Sequence, residues 1–217
     1  MVINLVQKSR LFKGMSEDQV SETLSFLHAQ ERQFKKGDVL MHAGDVTERL
    51  GLVLEGSVTI ESNDAWGNRT ILSHVGPGQL FAETYALLED EPLLVDVVAN
   101  EACQILFLHI GGAHRLMSVS KAWATKFTAN MLMISSLKNL HLAERSFHTA
   151  PKTVRGRVMA YLNTISLQAQ STEFDIPFDR QQLADYLNVE RTALSKELGK
   201  MQSDGLLKVK KNHFVIC

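Results

Sequence analysis

Residues 179–205, DRQQLADYLNVERTALSKELGKMQSDG, read as two short helices joined by a tight turn. Leu183, Ala184 and Leu187 recur at helical spacing in the first half, and Leu194, Leu198 and Met201 do the same in the second. Each segment therefore carries one narrow apolar stripe, and the two stripes need a shared core. Asp179 and Gln182 have the spacing of a capping box, and Gly205 can take the left-handed conformation that closes the second helix.

With that stripe turned inward, Arg191, Thr192, Ser195 and Lys196 gather on the outward face of the second helix's first two turns. This is the face a recognition helix needs. Arg or Lys there can donate to guanine in the DNA major groove, Thr or Ser can bond to base edges or phosphate, and the Thr methyl can meet thymine. Arg180 and Gln181, at the start of the first helix, join the same candidate set. The residues alone also fit plain solvation of a helix pair, since this geometry is common in ordinary helical packing.

The rest of the chain sets the context. Its 217 residues suffice for two modest domains, each with a core of its own. Hydrophobic residues at 45% and charged residues at 22% describe a globular protein, not a disordered or membrane one. No apolar run approaches the ~18 residues of a membrane span, and MVINLVQKSR lacks the layout of a signal peptide, so a cytoplasmic location is expected. Cys103 and Cys217 are too few for a disulfide framework or a four-cysteine iron-sulfur site. The net charge of -1 conceals an asymmetry: from Pro151 onward ten Lys and Arg stand against seven Asp and Glu, and the preceding part is acidic. The basic excess lies with the helix pair, although it is small as an electrostatic footprint.

Towards the N-terminus, residues 11–26 read as a short helix with Ser16 as a cap and Val20, Leu24 and Leu27 on one face. From Gln30 to about Ile110 short apolar runs at 39–41, 50–54, 58–60, 70–72, 96–98 and 104–108 alternate with turn signals. The signals include Lys36-Gly37-Asp38, Gly44-Asp45, Glu55-Gly56, Ala65-Trp66-Gly67-Asn68 and Gly76-Pro77-Gly78. Many short strands at this spacing indicate an antiparallel barrel or jelly roll, which either fills its interior or holds a ligand. The insertion QLFAETYALLEDEPLL at 79–94 is long for a hairpin and is a place where a ligand can sit. The preceding Gly-Pro-Gly lacks the Lys-Ser/Thr of a phosphate loop and reads as a turn.

Residues 113–146 contain no Gly beyond position 112 and no Pro, and the stretch between Trp123 and Leu142 is apolar around most of a helical circumference. Such a helix is buried on more than one side. Phe127, Met131, Ile134 and Leu137 form one seam, read as a dimer interface, with an intramolecular core helix as the plain alternative. Pro151 biases Ala150 away from helical geometry and marks a hinge at 148–151. A further helix is expected over 153–167, with Val154, Val158, Tyr161, Leu162 and Ile165 inward. A short strand at 174–178 and a terminal hairpin turning near Lys211-Asn212 complete a winged helix-turn-helix, whose wing residues Lys208, Lys210 and Lys211 can reach phosphates.

This order of parts, carried by GLVLEGSVTI at 51–60, GQLFAE at 78–83 and the quoted 179–205 stretch, resembles the CRP/FNR superfamily of bacterial transcription regulators over nearly the whole chain. The resemblance implies an α+β architecture: an N-terminal antiparallel β-roll of the cyclic-nucleotide-binding, jelly-roll type over 1–112, a dimerisation helix over 113–148 and a C-terminal winged helix-turn-helix over 149–217. It implies a homodimer that binds double-stranded DNA at an approximately palindromic operator, contacts RNA polymerase, works away from membranes and is not an enzyme.

The resemblance also shows where this chain departs. Cyclic-AMP-binding members carry Phe-Gly-Glu followed by an Arg-Ser or Arg-Thr pair that holds the cyclic phosphate. Here Ala82 replaces the Gly, Glu83 matches, and Leu93 and Leu94 occupy the Arg-Ser positions. A phosphate desolvated there would meet neither guanidinium nor hydroxyl, which argues against cyclic AMP. An apolar or aromatic small acid in a pocket around Phe81, Glu83, Tyr85, Leu93 and Leu94 is one reading, and a roll with no small ligand is the other. The N-terminal cysteine cluster of the iron-sulfur branch is missing, and the eight histidines show no ligand spacing, which leaves haem as a minor alternative. A class-distinct alternative, a jelly-roll oxygenase, needs a metal triad, and the barrel region has no His-x-His with a later carboxylate and His. In the recognition helix Lys196 stands where the family usually has Arg, and Thr192 where many members carry a cytosine-reading Glu, so a different half-site sequence is expected.

Overall fold

The computed structural model describes residues 6, 7, 9–63, 69–88 and 90–217, without the side chains of 63, 69 and 70; the expected Ala65-Trp66-Gly67-Asn68 turn lies outside them. The chain divides into two compact units, Met1–Ser136 and Leu137–Cys217.

The first unit begins with a 3₁₀ turn at Arg10–Phe12 and helix α1, Glu17–Phe26. Ser16 caps α1 in a reciprocal capping box with Gln19, and Glu17 and Asp18 complement the helix dipole in the first turn. The helix expected from position 11 therefore starts at 17, because Ser16 takes the extended backbone of a cap.

The roll follows: β1 Gln30–Phe34, β2 Val39–Met41, β3 Arg49–Glu55, β4 Val58–Asn63, β5 Arg69–Val75, β6 Leu80–Phe81, helix α2 Glu83–Leu88, β7 Asp96–Ala99 and β8 Cys103–His109. They form two four-stranded sheets, ordered β1-β8-β3-β6 and β2-β7-β4-β5, with every pairing antiparallel. The six expected strands are present. The sequence reading missed β1 and β6, the first because QERQF is almost wholly exposed and carries no apolar run, the second because it has two residues.

Strands β3 and β8 are apolar on both faces, which is why they read as continuous runs and not as alternation. One face of the pair, Val53, Ile105 and Phe107, joins Met41, Val58, Phe81, Leu93 and Val97 inside the roll. The other, Leu50, Leu52, Leu54, Leu106 and Leu108, packs with Val20, Leu27, Trp123, Phe127 and Met131.

After α3, Ala113–Met117, the chain breaks at 118–121 before α4, Ala122–Thr149. The single helix expected from Ala113 is thus two. The Ser118 hydroxyl donates to the Arg115 carbonyl, the local competition by which serine ends helices.

The second unit holds the end of α4, then α5 Val154–Ala169, β9 Glu173–Asp175, α6 Arg180–Tyr186, α7 Arg191–Ser203, β10 Leu207–Lys210 and β11 His213–Ile216. Thr153 caps α5, and Asp179 with Gln182 makes the capping box of α6. The three strands form a sheet ordered β10-β11-β9. Its core joins Val158 and Leu162 of α5, Leu183 and Ala184 of α6, Leu194, Leu198 and Met201 of α7, and Phe214.

At Gly51 a Cβ would lie 2.0 Å from the Phe81 ring, so the packing of that ring over its cross-strand partner in the neighbouring β6 requires glycine. We expect Gly51→Ala to lower stability by ~1–3 kcal/mol through overpacking, read as an earlier denaturant midpoint with unchanged slope. An unchanged midpoint would mean that Phe81 has room to move.

Candidate nucleic-acid interface and effector cradle

Leu194, Leu198 and Met201 are fully buried, which commits the opposite side of α7 to solvent. Arg191, Thr192, Ser195 and Lys196 lie there, all exposed, and the two-turn cluster expected from the sequence is therefore formed. Ala193 and Lys200 share the exposed surface of α7, and Lys200 was not among the expected residues. The helix is held from behind: Arg155 of α5 donates from Nε to Glu197 at 2.6 Å and from Nη2 pairs with Asp204 at 2.7 Å.

Lys208 and Lys210 are exposed on the wing, and Lys211 occupies its turn with φ 57°. Gln181 is exposed, but Arg180 is half-buried and donates to the Lys211 carbonyl at 3.3 Å. Burial pulls its pKa below the ordinary arginine value, and the side chain ties α6 to the wing turn. Arg180, Lys211, Phe178 and Asn212 line a cavity of about 520 Å³ at this junction.

Between α6 and α7 the chain turns through Asn188 in the left-handed conformation, φ 53°. Two arginines reach this turn. Arg145 of α4 donates to the carbonyls of Asp185 and Tyr186, each at 3.3 Å, and its guanidinium lies over the Tyr186 ring. Arg157 of α5 donates to the carbonyls of Leu187 at 3.1 Å and Asn188 at 2.7 Å, and to that of Pro151 at 2.9 Å. None of these contacts carries a sequence signal beyond the three-residue spacing that puts Arg145 and His148 on one face of α4.

His148 is buried at 3% exposure, with Tyr186 Oη 2.8 Å from Nδ1 and Thr164 Oγ1 2.9 Å from Nε2. Thr164 already donates its hydroxyl proton to the Ala160 carbonyl. The threonine oxygen must therefore accept from His148 Nε2–H, and Tyr186 must donate to Nδ1. The rings of Tyr161, Phe178 and Tyr186 pack beside it.

In the roll, Ala82 adopts φ 59°, the left-handed geometry that glycine takes without strain. Glu83 is buried, Tyr85 is half-buried and its hydroxyl accepts from the Leu94 amide at 3.3 Å. The expected effector residues do not all face one cavity. Phe81 and Leu93 are core residues of the roll, whereas Leu94 is 76% exposed. A cavity of about 190 Å³ opens nearby and shares only Leu93 with that set; Arg32, Arg49, Thr47, Met41 and Phe107 also line it.

The seam expected on the long helix is corrected in part. Phe127 and Met131 are sunk in the first unit's own core, and Ile134 packs on its edge, because their helical face is the one that covers β3 and β8. The apolar residues of α4 left in solvent include Met133, Leu140 and Phe147. With half-buried Leu137 they recur at spacings of four, three and seven, a heptad stripe.

Among the described residues no three His, Cys, Asp or Glu side chains are grouped so as to hold a metal ion, and no helix is long and apolar enough to cross a membrane. Residues 31–119 match the family model of a cyclic nucleotide-binding domain, and residues 156–217 match that of a Crp-like helix-turn-helix domain. With a roll of the first kind and a helix pair of the second on one chain, the protein belongs to the CRP/FNR family of transcription regulators.

It is 26% identical over 201 residues to the cyclic AMP receptor protein of Thermus thermophilus, covering 93% of this chain and 89% of that one. It is 22% identical over 202 residues to the cAMP-activated global transcriptional regulator CRP of Escherichia coli, covering 89% and 93%. Its fold resembles that of the c-di-GMP responsive global regulator CLP of Xanthomonas campestris, with a TM-score of 0.60, 20% identity, and coverage of 93% and 99%.

The His148 cluster has a pH consequence. Burial lowers its pKa below the ordinary histidine value of 6.5, with Glu144 on α4 pulling the other way; Arg145 on α4 and the neutral hydroxyls of Tyr186 and Tyr161 stand around it, Tyr161 being itself pushed up to about 12. The unfolded chain takes up a proton near 6.5 that the folded one declines, so this contribution to stability is complete above that value and is lost as pH falls through the lowered one. We expect the thermal midpoint of the helix-turn-helix unit to drop on acidification below about pH 6.5, and His148→Gln to flatten that drop. Identical slopes in the two proteins would remove His148 as the cause.

Proposed function

We propose that the protein is a homodimeric, sequence-specific DNA-binding regulator of transcription, acting in the cytoplasm on an approximately palindromic operator and through RNA polymerase. The observation that carries this reading is α7: three side chains buried behind it and Arg191, Thr192, Ser195 and Lys196 exposed on its N-terminal turns. Those four present donors and a methyl group to major-groove edges, while Gln181, Lys208, Lys210 and Lys211 supply phosphate contacts. Arg180 acts one step back, by fixing the wing turn against α6.

The second copy is the occupant we assign to the exposed stripe of Met133, Leu137, Leu140 and Phe147, since a heptad stripe on one helix is matched by the same stripe on another. Two recognition helices about one DNA turn, roughly 34 Å, apart then read two half-sites. The roll acts as the sensing part. Leucines 93 and 94 leave its cassette without the cation and hydroxyl that a cyclic phosphate needs, one of them turned into the core and the other out to solvent. An effector shifts the equilibrium only by its differential affinity for the DNA-competent state.

Selection from random duplexes tests the reading: we expect enrichment of paired half-sites, unchanged by cyclic AMP, and failure to enrich any such sequence would overturn it. On the selected operator Arg191→Ala should weaken binding by ~1–3 kcal/mol and leave random DNA nearly unaffected, whereas equal losses would make Arg191 a phosphate contact. For the dimer, Leu140→Asp should halve the sedimenting mass. An unchanged sedimentation coefficient would exclude the proposed stripe.

A further inference from the structure

The end of a helix leaves its last carbonyls without intrahelical donors and concentrates the negative end of the dipole there. At the end of α6 the Asp185 carbonyl accepts from the Asn188 amide at 3.3 Å, and side chains from two other helices supply the remaining donors. The carbonyls of Asp185, Tyr186, Leu187 and Asn188, consecutive in sequence, all accept from guanidinium groups: the first two from Arg145, the last two from Arg157. Arg145 comes from the last turns of α4, and Arg157 from the first turn of α5. These two arginines flank the break at 150–153, and Arg157 spans it by also donating to the Pro151 carbonyl. Buried His148 adds a second link, since Tyr186 Oη on α6 and Thr164 Oγ1 on α5 both bond to its ring.

We propose that Arg145 and Arg157, with His148, are positioning residues for DNA recognition: they clamp the last turns of α4, the start of α5 and the turn that launches α7 into one rigid body. Resting on the proposed DNA-binding function, the clamp makes the end of α4 the part that sets where the recognition helix begins. Arg191, the first residue of α7, follows the last clamped carbonyl by three positions. The break at Pro151, expected from the sequence to be a joint, is then a fixed corner. The grouping of α4 from Leu137 onward with the helix-turn-helix unit agrees with this.

The clamp favours guanidinium over ammonium at both positions. A planar fork presents two nitrogens to separate acceptors at once: Arg145 donates to Tyr186 from Nε and to Asp185 from Nη2, and Arg157 donates to Pro151 from Nε and to Leu187 and Asn188 from Nη1; lysine, a point charge, does not hold that geometry. The hydrophobic core of the unit takes in Leu187 and packs against Tyr186 of the clamped turn, but it does not include either arginine, whose guanidinium groups act on the backbone carbonyls of that turn.

Hydrogen exchange on the full-length, DNA-free protein tests the clamp directly. Arg145→Ala should accelerate exchange about tenfold over 180–190 and 143–150 while leaving 158–162 and 194–201 unchanged, and Arg145→Lys, which keeps the charge, should behave like the alanine variant. Unchanged exchange in the first two segments, or an equal rise in all four, would overturn the proposal, the latter by showing general destabilisation. On selected DNA, Arg145→Ala and Arg157→Ala should weaken binding to a two-half-site operator several-fold more than to a single half-site and should broaden the half-site spacings accepted. Equal losses on both duplexes would overturn the positioning role. If the wild-type protein selects no DNA at all, the DNA-binding reading fails, and the exchange experiment still decides whether the clamp exists.

Discussion

Strands β3 and β8 must bury both of their faces, and the first unit is built around that requirement. An antiparallel sheet can leave one face in water, but Leu50, Leu52, Leu54, Leu106 and Leu108 on one side and Val53, Ile105 and Phe107 on the other rule this out. The inner face is satisfied by closing the second sheet over it, which makes the roll. The outer face needs a separate cover, and α1 and the first half of α4 provide it. Gly51 shows how tight the inner closure is, because Phe81 occupies the space where any larger residue would place its Cβ.

This requirement also explains what could be read in the sequence. Double burial gives unbroken apolar runs at β3 and β8; the other four expected strands are legible from short apolar runs between turn signals, while the exposed edge strand Gln30–Phe34 has no such run. The helix caps at Ser16, Thr153 and Asp179 are local and chemical, and two of them follow directly from residue spacing. Periodicity shows that α4 has apolar stripes and not what each stripe meets. Phe127 and Met131 cover the roll's sheet, and the stripe through Met133 and Leu140 is the one left open. The polar face of α7 was legible because burial of Leu194, Leu198 and Met201 fixes it. The clamp at 185–188 was not, since its acceptors are backbone carbonyls, which every residue has.

The turn at 81–83 separates shape from chemistry. Ala82 holds φ 59°, a conformation that costs an alanine more than a glycine, and Glu83 remains buried behind it. The strained turn at Ala82 leads directly into α2, which starts at Glu83, so its geometry sets the path of the chain there. Guanidinium groups are found across the roll, where Arg32 and Arg49 border the cavity that Leu93 also lines.

Charge counting illustrates the same separation in the second unit. Its small excess of cations looks too weak for a DNA-binding surface, but the count treats all arginines alike. Arg155 is held by Glu197 and Asp204, Arg157 by three carbonyls, and Arg180 by the Lys211 carbonyl. Arg155 neutralises two carboxylates beside α7, and the other two place their charge on helix ends and turns. Arg191, Lys196, Lys200, Lys208, Lys210 and Lys211 are exposed on α7 and the wing. The division follows from side-chain chemistry: planar arginines suit half-buried sets of carbonyls and carboxylates, and lysines carry most of the charge that faces solvent. The field available to a phosphate backbone is therefore set by where the exposed cations gather, on α7 and the wing, and not by net charge alone.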